Sequence, residues 1–501
     1  MLKNIASNWG LQIVTALVTY VLTPFTIYKL GQIGYGTWLL ITSMTGYLLL
    51  LSLGVPMACV RYMTQYVSEH KVRELNACIS NAAGLFLLLG GMSLLIGTIL
   101  FPVFRSYSIP LELRTQAQIG YFLVVLWVSA DFIGQLPYAI MAAHHDFLFR
   151  NAVQLAGLIV RLLLTLAVLT VRPSLVYLAL VQLAAMAFEY IVMWTVVKRR
   201  YPFVELHLRG FSAKGVRLIF SFSVFVLILA VGERLMFQSD ALVIGAFLDI
   251  QQIPYYVVAN SFGLYLIYFV VAIAGVVMPM ATKLEAEGRR HVLEEVFLKW
   301  SKIAFSLTMI AGLFLLILGP RFIAWWLGPS FEGPSGRVLQ ILTIGGMIYL
   351  PVRGVALPIL MGLGKPKQPT IAFVISGVAN VVMSILLAKS LGLAGVAIGT
   401  SVPLIGYAIT LLMLACRELG MPVTRWFAYV VPRALVGAIP AAAVLLWFKW
   451  GVNVHGFVGL AAAGVSVLAV YGLSCLLFVC QNDPYIDLRS RVPVLRNWRR
   501  A

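Results

Sequence analysis

Apolar windows set the rhythm of this chain. From about Trp9 onward, stretches of roughly 20 apolar residues alternate with short connections rich in Gly, Pro and charge, and a helix of about 20 such residues crosses a bilayer. Fourteen of these windows fit between residues 7 and 480. The pattern predicts an all-α polytopic membrane protein with about 14 transmembrane helices. The first window is too long for the apolar core of a signal peptide, and no small-residue cleavage site follows, so it is expected to remain as the first span. The connections are short on both sides. The longest outer one covers residues 321–336, which leaves no extramembrane domain to house other chemistry.

Polar positions that interrupt the windows carry the functional signal. The seventh window, residues 218–247, holds Glu233, Arg234 and Asp240 inside its apolar run. A charge at mid-bilayer costs about 2.5–3.5 kcal/mol on insertion scales, so these side chains are expected to face protein or water. On one continuous helix Glu233 and Asp240 share a face about 10 Å apart, and Arg234 and Gln238 share the adjoining one. Asp131, Arg161, Glu189 and Arg353 bring the ionisable residues within windows to seven. Glu189 falls near the inner end of its window, where it is expected to reach the interface. So many intramembrane charges point to transport and away from a passive scaffold.

A faint internal repeat organises the windows. Gln32-Ile33-Gly34-Tyr35 after the first span matches Gln252-Ile253-Pro254-Tyr255 after the seventh, an offset of 220. The same offset lays the loop at 142–151 on the loop at 362–371. Six spans separate the copies, so they enter the membrane in the same sense, as parallel repeats about an axis along the membrane normal, and a site is expected between the halves. The expected division is an N-lobe at 1–200 (spans 1–6), a C-lobe at 201–420 (spans 7–12), and spans 13 and 14 with a basic tail at 421–501. The two lobes are expected to be pseudo-symmetric six-helix units around a central cavity.

Composition sharpens the class. The 501 residues are 61% apolar and 11% charged, with mean hydropathy +0.95, whereas soluble domains run near ~45–50% apolar and ~25% charged. The net charge of +19 does not indicate nucleic acid. With the N-terminus inside, 26 of the 37 Lys and Arg fall on the inner side, 8 on the outer and 3 within spans. That bias places both termini in the cytoplasm. The tail arginines Arg489, Arg491, Arg496, Arg499 and Arg500 are expected to sit on anionic headgroups. Cys59, Cys78, Cys416, Cys475 and Cys480 lie at inner helix ends, an odd number on the reducing side, and are expected to be small packing residues rather than a disulfide framework.

Ordered motifs across the chain carry a family resemblance. They are Leu30-Gly31-x-x-x-Tyr35-Gly36, Gly54-Val55-Pro56-Met57-Ala58 leading to Arg61-Tyr62, and Asp240-x-x-Val243-Ile244-Gly245 with Tyr255-Tyr256. Trp326-Leu327-Gly328, Gly362-Leu363-Gly364-Lys365-Pro366-Lys367 and Gly392-Leu393-Ala394-Gly395-Val396-Ala397 follow in order. Together they resemble the polysaccharide-transporter branch of the multidrug/oligosaccharidyl-lipid/polysaccharide (MOP) exporter superfamily, a Wzx-type flippase. The resemblance implies a cavity opening alternately to each side, with the last two helices peripheral. It also implies a substrate, an undecaprenyl-diphosphate-linked oligosaccharide, moved from the inner to the outer leaflet of a bacterial inner membrane. The Glu233-Arg234 pair within the seventh span departs from the family pattern.

Roles follow from chemistry. Arg161, Arg234 and Arg353 are always charged and grip phosphate oxygens in bidentate fashion, which suits a diphosphate headgroup; the alternative is that each neutralises a nearby carboxylate. Asn260 and Tyr265, with Tyr268, Tyr20 and Thr23, offer amide and hydroxyl contacts to sugars. Glu233, Asp240 and Asp131 are candidates for ion coupling or gating, and Asp131 lies at the repeat-equivalent level of Arg353. His144-His145-Asp146 lacks a further ligand and is expected to be a solvated loop, so no metal is expected. Neither a cofactor nor a catalytic motif is expected, and the chain is read as no enzyme. Expected partners are the lipid-linked oligosaccharide, membrane lipids, a coupling Na+ or H+, and a polysaccharide polymerase with its export machinery, with no nucleic acid. The rival readings are an ion-coupled exporter of drugs or organic cations on the same fold, and a membrane polymerase or ligase. The second would need a sizeable outer loop.

Overall fold

In the computed structural model the described residues are 2–52, 54–206, 223–481 and 483–486. The tail arginines, the beginning of the seventh window and the side chain of Tyr268 lie outside them. Every described element is helical. They are α1 (Leu2–Gly46), α2 (Val55–Ser68), α3 (Val72–Ile99), α4 (Phe101–Arg105), α5 (Leu111–Ala143), α6 (Phe147–Val171), α7 (Leu175–Arg200) and α8 (Ser223–Phe237). Then come α9 (Asp240–Phe247), α10 (Ile253–Ala286), α11 (Arg290–Ile317), α12 (Gly319–Leu327), α13 (Glu332–Gly362), α14 (Lys367–Leu419), α15 (Val423–Leu446) and α16 (Phe457–Ser474). Only helices or closed barrels satisfy the backbone inside lipid, and the long apolar windows take the first solution.

Ten segments are long and apolar enough to cross a bilayer. Two of them are too long for one crossing: Gly10–Ser68 has 59 residues and Lys367–Leu419 has 53, against the ~20 a crossing needs. Each breaks at a glycine in a backbone region closed to most L-residues, Gly31 (φ 69°) in the first and Gly392 (φ 59°) in the second, so each supplies two spans. Residues 223–286, outside those ten, supply the seventh and eighth. The expected fourteen-span architecture is therefore present. The seventh departs from one continuous helix: α8 ends at Phe237 and α9 begins at Asp240. The shared face expected for Glu233 and Asp240 does not survive that break.

The chain divides into two compact units, residues 1–234 with 244–254, and residues 235–243 with 255–501. In the first, α5 is the hub, packing on α1, α2, α3 and α7, while α6 lies against α1 and α7. Gly90 allows the close approach of α3 to α5, since a Cβ there would sit 2.7 Å from Ser129 O. Residues 32–36, at the first copy of the repeated motif, meet residues 250–254, at the start of the second, within this unit. Gln251 Nε2 donates to Gln32 Oε1 at 3.2 Å, and a Cβ on Gly36 would lie 2.3 Å from Ile250 O. In the second unit α13 packs on α11 and α14, and α15 packs on α11 and α16. Gly395 and Gly399 let the second half of α14 rest on its first: added Cβ atoms would meet Leu387 O at 2.2 Å and Ser384 Oγ at 2.4 Å. With lipid as solvent, such close contact between small residues replaces the hydrophobic drive.

Candidate functional site

The first unit carries an open-sided polar cavity of about 520 Å³. Asp131, Gln135 and Tyr138 enter from α5, Arg150, Gln154 and Arg161 from α6, and Gln182, Glu189 and Tyr190 from α7. Gln12 and Thr15 on α1 complete the polar wall, and Trp127 gives it an aromatic surface. Residues spaced three to five apart, such as Asp131, Gln135 and Tyr138, bring one helical stripe to the same space. Two carboxylates and two guanidiniums balance in formal charge, so the cavity is mixed rather than cationic.

Glycines shape this cavity. An added Cβ at Gly134 would lie 1.9 Å from Tyr190 Cζ, inside the phenol ring. The missing side chain lets Tyr190 lie flat against α5 and donate its hydroxyl to Asp131 Oδ1. Gln135 Nε2 donates to Asp131 Oδ2 at 2.9 Å, so both oxygens of that carboxylate are engaged. Tyr138 packs edge-on against Tyr190 with ring centroids 6.0 Å apart. At Gly157 an added Cβ would sit 2.6 Å from Glu189 Oε2, so this second glycine seats the Glu189 carboxylate against α6. Two polar atoms stay unsatisfied: Arg161 Nε and Tyr138 Oη are buried without a hydrogen-bond partner. Leaving such a group unpaired costs about 1–3 kcal/mol, more if charged, which an incoming acceptor removes.

The second unit holds an oxygen-rich nest around Asp240, which is 2% exposed. Tyr256 Oη donates to Asp240 Oδ2 at 2.9 Å, and Thr400 Oγ1 lies 3.2 and 3.3 Å from the two carboxylate oxygens. Ser384 Oγ reaches Asn380 Oδ1 at 2.9 Å and Val396 O at 3.3 Å, while Asn380 Nδ2 donates to Met236 O at 2.7 Å. Thr400 and Asn260 both line a small adjoining cavity with Phe237, Thr343 and Tyr349. Among the described residues no cation side chain is a bonded partner of Asp240, and its hydrogen bonds come from the hydroxyls of Tyr256 and Thr400.

The structure sorts the expected site residues. Asp131 and Arg161 come together in the first unit's cavity, and Asn260 stands beside Thr400, a partner of Asp240. Arg234, Arg353, Glu233 and Tyr265 line neither cavity. Glu233 and Tyr265 are exposed, and Tyr47 Oη donates to the Arg234 carbonyl at 3.3 Å. Glu189 lines the first unit's cavity and lies against Gly157. Sequence reading missed Gln135, Gln182 and Tyr190, and also Tyr256, Thr400, Asn380 and Ser384. Asn380 and Ser384 stand four apart on α14, a spacing visible in the sequence, whereas Thr400 lies beyond the break at Gly392. The loop at His144-His145-Asp146 is more tightly built than expected: Arg200 Nε lies 2.6 Å from Asp146 Oδ2, the Tyr201 hydroxyl donates to Asp146, and His144 stacks on Tyr201 at 4.0 Å.

Comparison with known proteins agrees with this architecture. Residues 1–285 match the family described as polysaccharide biosynthesis protein. The uncharacterized membrane protein EpsK of Bacillus subtilis is 22% identical over 99% of this chain and 98% of its own. The probable low-salt glycan biosynthesis flippase Agl15 of Haloferax volcanii is 23% identical over 58% of this chain and 61% of its own. Among solved structures, an inward-facing multidrug resistance MATE transporter of the MOP superfamily superposes with a TM-score of 0.71 at 16% identity, over 80% of this chain and 94% of that one. The lipid II flippase MurJ, inward closed, gives 0.68 at 15% identity, over 93% and 98%. With a family match over more than half its length, the chain belongs to the polysaccharide biosynthesis protein family, and this multi-pass membrane protein shares its fold with the MATE transporter and MurJ.

Proposed function

We propose that this transporter flips a polyprenyl-diphosphate-linked oligosaccharide from the inner to the outer leaflet by alternating access, for assembly of a polysaccharide, O-antigen or exopolysaccharide. The observation that carries the reading is the mixed polar cavity of the first unit, about 520 Å³ within an apolar bundle, which falls in the ~300–1,000 Å³ range of small-molecule sites. Sugar hydroxyls both donate and accept, and the amides of Gln135, Gln154 and Gln182 do the same. Arg161 supplies an unpaired guanidinium N–H for a phosphate or sugar oxygen. A drug-cation exporter would be served by the acids alone, and the guanidiniums of Arg150 and Arg161 oppose a cationic cargo. The family description and the sequence similarity to Agl15 support the glycan side of the reading. Asp240, buried among Tyr256, Thr400, Ser384 and Asn380, is the coupling site in this scheme, its single negative charge and hydroxyl neighbours suited to one Na+ or H+. Both termini face the cytoplasm of a bacterial inner membrane, where the polymerase and export machinery take over the product on the far side.

Proteoliposomes carrying a fluorescent polyprenyl-diphosphate oligosaccharide test the proposal, with an impermeant quencher reporting the outer leaflet. The intact protein is expected to accelerate exchange between leaflets, and Arg161→Ala and Gln182→Leu to slow it at least tenfold. Movement of an organic cation such as ethidium, with no movement of the lipid, would overturn the reading.

A further inference from the structure

Far along the chain from both cavities, a cluster at the end of the described chain has no part in the transport scheme. Lys302 Nζ and Asp483 Oδ2 lie 2.5 Å apart with both side chains fully buried. Asp483 Oδ1 accepts from Tyr429 Oη at 2.6 Å and from the backbone N–H groups of Tyr485 and Ile486, each at 3.0 Å. Lys302 Nζ also sits 4.6 Å from the centre of the Tyr429 ring. A buried ion pair persists only when its remaining valences are filled. Here both Asp483 oxygens are engaged and the Lys302 ammonium also faces the Tyr429 ring, so the pair clasps residues 483–486 to α11 and α15.

Three residues before Asp483, Cys480 Sγ lies 3.9 Å from Cys475 Sγ. Both thiols are free and partly exposed, whereas Cys59, Cys78 and Cys416 are buried. Their approach depends on a local irregularity. In an α-helix, residues five apart point about 140° away from each other. Here α16 ends in a π-turn over Cys475–Val479, closed by Cys480 N donating to Cys475 O at 2.8 Å, and the i→i+5 turn brings both thiols to one face.

We propose that Cys475 and Cys480 form a reversible disulfide whose formation opens the Lys302–Asp483 clasp. One thiolate attacks a sulfur of a low-molecular-weight disulfide, forming a mixed disulfide and expelling one small thiolate. The second cysteine thiolate then attacks the protein sulfur, closing the Cys475–Cys480 bond and expelling the second small thiolate. Two electrons pass to the small disulfide, and the two cysteine protons end on its two thiols. A reducing thiol runs the exchange backwards. Bond formation draws the sulfurs from 3.9 Å to about 2.05 Å, so the π-turn must tighten or rotate. Cys480 is joined to Asp483 by a short tether, and the displacement falls on a carboxylate whose contacts fail once they stretch beyond about 3.5 Å.

The test uses the full-length protein in lipid nanodiscs, equilibrated in buffers of reduced and oxidised glutathione. Mass analysis of the fragment holding both cysteines is expected to show loss of two hydrogens with one midpoint. Over the same range, hydrogen exchange at Tyr485 and Ile486 is expected to rise at least tenfold and to reverse with dithiothreitol. Cys475→Ser or Cys480→Ser should abolish both responses, and Asp483→Asn should give fast exchange under every redox condition. Glutathione adducts without the internal bond overturn the disulfide. An internal bond with Tyr485 and Ile486 still protected overturns the switch.

Discussion

Substituting Gly134 by Ala tests the architecture of the first cavity at its tightest point. The new methyl would lie 1.9, 2.0 and 2.5 Å from Cζ, Cε2 and Cε1 of Tyr190, closer than any non-bonded contact allows. Backbone neighbours hold α5 in place, so Tyr190 must swing away and surrender its hydrogen bond to Asp131. Overpacking of this kind costs about 1–3 kcal/mol, and a hydrogen bond to a charged group contributes about 1.5–3 kcal/mol. If transport depends on the positioned carboxylate, the combined effect of roughly 2.5–6 kcal/mol is a fall of about two to four orders of magnitude in leaflet exchange. Tyr190→Phe keeps the ring and removes only the hydroxyl, so about ten- to hundredfold is expected there. The decisive measurement is a double-mutant cycle in the proteoliposome assay, with thermal unfolding followed in parallel. Tyr190→Ala empties the space the methyl needs, so Gly134→Ala should then be nearly silent, with a coupling energy of about 1–3 kcal/mol. Full activity of Gly134→Ala, or purely additive effects in the cycle, would refute this account of the cavity wall.

Other outcomes follow from the same geometry. Arg161→Lys should restore little of the activity lost in Arg161→Ala, because an ammonium cannot reproduce the planar fork; leaflet exchange equal to wild type in the lysine variant would count against the guanidinium role. Asp240→Asn should leave the protein folded but remove the dependence of transport on a Na+ or H+ gradient, read by imposing each gradient separately. Gly399→Ala places a methyl 2.4 Å from Ser384 Oγ and 2.6 Å from Ser384 N, and should lower thermal stability by about 1–3 kcal/mol. At the clasp, burial pushes the Asp483 carboxyl upward, but its bonds to Lys302 and Tyr429 outweigh this and hold it below the ordinary carboxylate value. A depressed folded pKa gives stabilisation that is present above the unfolded value and lost as pH falls through the folded one. Protection of the Tyr485 and Ile486 amides should therefore persist at pH 4, near the usual carboxylate range of about 3.9, and vanish only in stronger acid.

Span number and helical class were legible in the sequence because a bilayer imposes one length and one hydrogen-bonding solution on every crossing. Gly31 and Gly392 stood at visible breaks between windows. The side-chain constellations were less accessible. Tyr190 finds Asp131 across 59 positions and Thr400 finds Asp240 across 160, and no local periodicity encodes such pairings. The seat of Glu189 is not encoded in its depth in the window, since only the neighbouring helix reveals the notch at Gly157. The seventh span reads as one helix because no Gly or Pro punctuates residues 233–240, whereas α8 stops at Phe237 and α9 starts at Asp240. Arg161 and Asp131 were found by the cost of burying charge, a signal that does not depend on knowing the partner.

The chain passes from one compact unit to the other after Arg234, after Val243 and again after Pro254. Asp240 therefore rides on a nine-residue insert, 235–243, stitched at both ends into the unit that owns the sugar-sized cavity.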